Sequence, residues 1–88
     1  MNLEDEIKNG NIKHGLKILP EYFESVLNNR KTFELRKNDR GFKVGDIFAL
    51  REYDNDKYTG RYYIGSIGYI LKDCPQYGLA DGYCIFSW

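Results

Sequence analysis

The segment Asn29-Arg30-Lys31-Thr32-Phe33-Glu34-Leu35-Arg36 decides how the rest of the chain is read. Its residues alternate as a strand does, because strand side chains have a period of two. Phe33 and Leu35 share one face, while Thr32, Glu34 and Arg36 share the other. The apolar pair is expected to enter a core and the polar row to face a ligand edge. Lys31 stands at the junction between a preceding helix and this strand, with room to turn toward the polar row. The competing assignment is a solvated strand on which Glu34 and Arg36 satisfy each other.

Upstream, Pro20 suits the first position of a helix, where its missing N–H would have no partner. Tyr22, Phe23, Val26 and Leu27 follow at helical spacing and predict one buried face. Asn28-Asn29 supplies a left-handed stop. His14–Leu19 reads as a strand with Leu16 and Ile18 on one face. Met1–Lys13 reads as a polar lead-in whose Leu3–Lys8 piece could form a helical turn, ended by Asn9-Gly10-Asn11. His14, the single histidine, is assigned a surface or packing role.

Downstream, Asn38–Gly41 and Val44-Gly45-Asp46 have turn composition. Ile47–Tyr53 is an apolar strand, and Asn55–Gly60 is a polar hairpin loop. Arg61–Leu71 reads as one long strand in which Gly65 and Gly68 mark bulges or bends. Lys72–Ala80 is a loop, and Gly82–Trp88 is a last strand with Tyr83 and Ile85 inward, joined by Phe86 or Trp88. The expected order is β-α-β-β-β-β, a mixed α+β domain of about five strands and one main helix. Short strands bent by glycine predict closure into a small curled β-barrel.

With 88 residues the chain is one domain, residues 1–88. A hydrophobic fraction of 42% and a charged fraction of 30% fit a soluble globular protein. No apolar run reaches membrane-spanning length and the N-terminus is acidic, so the expected address is cytoplasmic. Cys74 and Cys84 are too few for a disulfide framework or a zinc site, and read as reduced, partly buried thiols. No metal and no organic cofactor is indicated. Net charge is zero, which argues against non-specific coating of nucleic acid. Yet Arg30–Lys43 holds six cations against Glu34 and Asp39, a local excess of four. Eight Tyr, five Phe and one Trp suit strands and small cores, and also suit base stacking.

Asn29–Arg36 resembles the signature of ASCH domains, a branch of the PUA-like barrels, with the pattern Gly-any-Lys-any-any-Glu-any-Arg. Lys31, Glu34 and Arg36 fall on its charged positions, and Asn29 stands in place of the glycine. Val44-Gly45-Asp46 before an apolar strand also looks like that family, and Leu16–Tyr83 is similar to a small bacterial and phage branch of unknown function. The resemblance implies an RNA- or nucleotide-binding module with its cleft beside the signature. Lys31, Arg36, Lys37 and Arg40 would then meet phosphates, Arg36 or Glu34 would meet a base or ribose, and Thr32 would line the same row. Tyr53, Tyr58 or Tyr62 would offer a stacking face.

A second reading implied by the resemblance is a small amidohydrolase acting on an acetylated cytidine-like nucleoside, with Lys31 as base or nucleophile and Glu34 moving protons. The hydrolase members carry threonine where this chain has Glu34, and no glutamate follows Glu52. A third reading is a protein-interaction or regulatory module, which neutral charge and abundant tyrosine also suit.

Overall fold

In the computed structural model, which describes Asn2–Trp88, the helix before the deciding segment forms where its sequence places it. Helix α2 (Pro20–Leu27) starts with proline in its first turn and buries Phe23 and Val26. Tyr22 and Leu27 stay about half exposed, so the buried face is narrower than the four-residue stripe. Asn29 adopts φ +63°. Its N–H donates to the Val26 carbonyl and that of Arg30 to the Ser25 carbonyl, the paired bonds of a Schellman stop. That stop turns the chain so that Lys31 leaves the helix beside the next strand.

The lead-in is more ordered than its composition suggests. Met1 lies outside the described residues, but Leu3–Lys8 forms helix α1, capped by the Asn2 side chain accepting from the Asp5 N–H at 3.0 Å. Ile7 packs over Gly15, where an added Cβ would come within 2.8 Å of the Ile7 Cδ1. There are thus two α-helices among the described residues, not one.

Six strands follow the order β1 (His14–Ile18), β2 (Phe33–Lys37), β3 (Ile47–Asp54), β4 (Lys57–Ser66), β5 (Tyr69–Lys72) and β6 (Tyr83–Ser87), with α2 between β1 and β2. They form two open three-stranded sheets, β1-β3-β4 and β2-β6-β5, and not the expected closed barrel of β-α-β-β-β-β order. β1 runs parallel to β3, and the other pairings are antiparallel. Closure would need ladders at both open sides, β1 to β2 and β4 to β5. Neither forms among the described residues: each of these four strands is paired on one side only, and between β1 and β2 the Arg36 guanidinium bridges to the Lys17 carbonyl instead.

The anticipated Arg61–Leu71 strand is broken at Ile67-Gly68, where the chain leaves one sheet and enters the other. Ile67 bonds Asp46 through its N–H, and Gly68 bonds Ser87 through its own. The hairpin loop also shrinks. Asn55 and Asp56 both have positive φ, the conformation of a two-residue type I′ turn, so pairing resumes at Lys57 against Asp54.

The core lies between the sheets and α2: Leu16, Ile18, Phe23, Val26, Phe42, Phe48, Leu50, Ile67, Cys84 and Phe86. Cys74 and Cys84 are free and buried, and burial among apolar groups pushes the Cys84 thiol up. In β6 it is Cys84 and Phe86 that point inward, while Tyr83 is exposed. His14 is buried, tilted against Phe42 at 4.6 Å and 2.8 Å from Asp46 through Nε2. No helix among the described residues is long and apolar enough to cross a membrane.

Candidate functional site

Strand β2 alternates as its sequence requires, but with the opposite face turned inward. Glu34 is 5% exposed, while Phe33 and Leu35 are 45% and 56% exposed. On the inner side Glu34 is paired with Phe86 of β6, and Arg36 with Cys84. A carboxylate placed there is costly unless ionic or hydrogen-bonded partners reach it. Both of its oxygens are served: Lys31 Nζ meets Oε1, and Arg36 Nε donates to Oε2 at 2.8 Å. Lys31 also donates to the Phe33 carbonyl at 2.8 Å, and Arg36 Nη2 donates to the Lys17 carbonyl at 2.5 Å.

These residues form the floor of a groove of about 480 Å³ between α2, β1 and β2. Its apolar walls are Ile18, Leu19, Tyr22, Phe33 and Leu35, and Lys17 stands at its edge. Tyr22 is 48% exposed. The Lys31 ammonium lies 5.1 Å from the Phe33 ring and 5.9 Å from the Tyr22 ring, within reach of both π-faces. Two cations around one carboxylate leave the cluster with a net single positive charge. The guanidinium of Arg36 has five N–H donors, and the contacts with Glu34 and Lys17 do not use them all.

The other expected site residues are dispersed. Thr32 is partnered through its carbonyl, which accepts from the Trp88 N–H at 3.2 Å. Lys37 ends β2 opposite Tyr83. Arg40 lines a separate pocket beside His14. Tyr53 and Tyr58 stack edge to face at 5.2 Å, and each ring carries a cation, Lys17 at 4.4 Å over Tyr53 and Arg51 at 3.7 Å over Tyr58. Neither ring lines the groove. Tyr62 borders another pocket with Arg51 and Arg61. The aromatic walls of the groove are instead Tyr22 and Phe33, whose spacing in the sequence assigns them to the core. Lys17 carries no motif. Its outward position nonetheless follows from the alternation of β1 with Leu16 and Ile18, a signal that the sequence does contain.

A second ionic brace holds α2 against the β3–β4 hairpin. Buried Glu52 accepts from Arg61 at 2.9 and 2.8 Å and from the Thr59 hydroxyl at 2.7 Å. Arg61 also reaches Glu24 of α2 at 2.5 Å. The Arg61 hydrogen bonds, then that of Thr59, hold the Glu52 carboxyl at about 2, against an ordinary value of 4.5. Because the folded value is the lower one, the stabilisation is full above about 4.5 and is lost as pH falls toward about 2. The expected NMR titration of the Glu52 side-chain carboxyl shows no inflection near 4.5. An inflection there would mean that Arg61 does not hold it.

Among the described residues, no group of three or more His, Cys, Asp and Glu side chains is placed to hold a metal ion. A protein of Escherichia phage P2, described as an uncharacterized 12.9 kDa protein in the GpA 3′ region, is 40% identical over 48 residues. The aligned part is 54% of this chain and 44% of the phage protein, so the match spans less than half of that relative's length. The likeness to the ASCH signature, and the wider similarity drawn for Leu16–Tyr83, are corrected by the family match. Alternating charge of that kind arises on any strand with one polar face, whereas a family model described as a domain of unknown function, DUF3850, covers residues 13–88. It is to this DUF3850 family, and not to the ASCH or PUA-like families, that the chain belongs.

Proposed function

We propose that the groove between α2, β1 and β2 binds a nucleotide or single-stranded RNA. The supporting observation is a buried carboxylate, flanked by two cations, at the floor of a groove with two half-exposed aromatic walls. A base inserted against Tyr22 or Phe33 gains stacking area. Each Glu34 oxygen retains a lone-pair direction beyond its one cation and accepts from an exocyclic amine. The spare Arg36 donors face a base carbonyl or a phosphate, and Lys17 supplies charge at the rim.

The geometry favours binding over hydrolysis. A lysine nucleophile needs a free lone pair, but Lys31 points at a carbonyl, a carboxylate and two ring faces, which are the partners of an ammonium. Both Glu34 oxygens are already in contact with a cation.

Titration with short single-stranded RNAs and with nucleosides, acetylated cytidine included, tests this reading. Saturable RNA binding is expected, weakening as salt rises, with no product released. Tyr22→Ala is expected to weaken it by about 5- to 150-fold, the range for removing one stacking ring. Absence of binding, or indifference to Tyr22→Ala, would sink the proposal. Deacetylation that disappears in Lys31→Ala would establish the hydrolase instead.

A further inference from the structure

Lys13, Arg40 and Lys43 line a second pocket, of about 330 Å³, together with His14, Gly41 and Asp46. The three cations are exposed. Among the described residues none of them lies within salt-bridge distance of a carboxylate, whereas Lys31, Arg36, Arg51 and Arg61 are all ion-paired. The one acid in the pocket does not neutralise them by contact. Asp46 Oδ2 is taken by His14 Nε2 at 2.8 Å and by the Lys43 N–H at 3.0 Å. A carboxylate is acceptor-only, so Nε2 is the protonated nitrogen of His14. Burial pulls the Asp46 carboxyl up, but those hydrogen bonds and the charges of His14 and Lys13 outweigh it and leave it below its usual range.

This pocket and the groove lie along one seam. β1 is an edge strand of one sheet and β2 an edge strand of the other. At one end of the seam Arg36 reaches the Lys17 carbonyl. Toward the other, Arg40, beyond the end of β2, shares a pocket with Lys13 and His14 at the start of β1. His14 and Lys17 are three residue steps apart along β1, about 10 Å. A seam with a stacking groove at one end and unpaired cations at the other has the layout of a strand-binding track.

We propose that the Lys13–Arg40–Lys43 pocket is a phosphate subsite, and that a nucleotide strand crosses the seam with a base in the groove and a phosphate in this pocket. The strand-crossing part rests on the nucleotide reading of the groove; the phosphate subsite does not. The ligand chemistry is a phosphate oxyanion, carried either by a phosphodiester or by free phosphate.

Amide NMR of the whole chain distinguishes these cases, with inorganic phosphate, a nucleoside and a short single-stranded RNA as separate probes. Phosphate is expected to shift the Gly41, Lys43 and Asp46 amides saturably, and the Lys13→Ala/Arg40→Ala/Lys43→Ala variant is expected to lose that response. Among the described residues none of the three replaced side chains is in a contact ion pair, so folding is expected to be preserved, which the unchanged remainder of the spectrum verifies. In the same variant RNA affinity is expected to fall at least about tenfold, and its salt dependence to flatten by about 0.7 for each phosphate that is no longer neutralised. Nucleoside binding in the groove should be unchanged. No phosphate response at Gly41–Asp46 overturns the subsite. Equal RNA affinity in variant and parent overturns the crossing strand. A phosphate response with no nucleoside or RNA binding supports a free-anion site and defeats the nucleotide reading of the groove.

Discussion

Replacing Glu34 with alanine is expected to cost about 3 kcal/mol of stability and to abolish binding in the groove. Lys31 and Arg36 are both mostly buried and both depend on this carboxylate. Its removal leaves each cation a single backbone carbonyl and no counter-charge, and an uncompensated buried charge costs far more than the pair contributes. Urea unfolding of Glu34→Ala measures the loss. A second variant, Lys31→Met/Glu34→Leu/Arg36→Met, removes all three charges together and is expected to recover most of the stability while remaining unable to bind. Recovery would separate the two roles: the triad is a structural liability retained for its ligand. A neutral Glu34→Ala would mean that water already compensates both cations. The single variants Lys31→Ala and Arg36→Ala still leave Glu34 one cation, so each should cost less than Glu34→Ala and serve as the cleaner probe of binding.

Gly65→Ala is expected to destabilise by about 1–3 kcal/mol, which for a domain of this size lowers Tm by roughly 10 °C. An added Cβ would stand 2.5 Å from Phe48 Cζ and 3.0 and 3.3 Å from its neighbours. Phe48 cannot easily withdraw. It is fully buried and packs on Phe86 at 5.1 Å and Trp88 at 5.0 Å between ring centres. Gly68→Ala is the control, because its nearest atom, the Ser87 carbonyl oxygen, is at an ordinary 3.7 Å and its φ is not positive. A change within about 0.5 kcal/mol is expected there. Equal costs at both positions, read by thermal unfolding, would show that strand bending and not ring packing requires Gly65.

That contrast shows where the sequence misleads. Two glycines in one apparent strand look alike, but one makes room for an aromatic ring from the neighbouring strand and the other sits where the chain changes sheets. The ring that occupies the Gly65 site belongs to Phe48, far earlier in the chain, which no local pattern reports. The barrel expectation fails for the same kind of reason. Strand propensity locates strands, but closure depends on which edges pair, and the outer edges of β1 and β2, like those of β4 and β5, find no ladder partner among the described residues.

What the sequence determined by itself was local. Proline at the first turn and asparagine at the left-handed stop bounded α2. The period of two put Glu34 and Arg36 on one face of β2, with Lys31 close enough to join them. The tertiary structure alone decided which face of β2 is inside. Alternation fixes relative side, not absolute side, and Phe33 and Leu35 made the conventional choice look safe. The inner position is open to a carboxylate because Lys31, delivered by the Schellman stop, and Arg36 meet both of its oxygens. The displaced Phe33, with Tyr22 from α2 and Lys17 from β1, then becomes the wall and rim of the groove. Those three residues lie on three different elements, and only the packing of the elements brings them together.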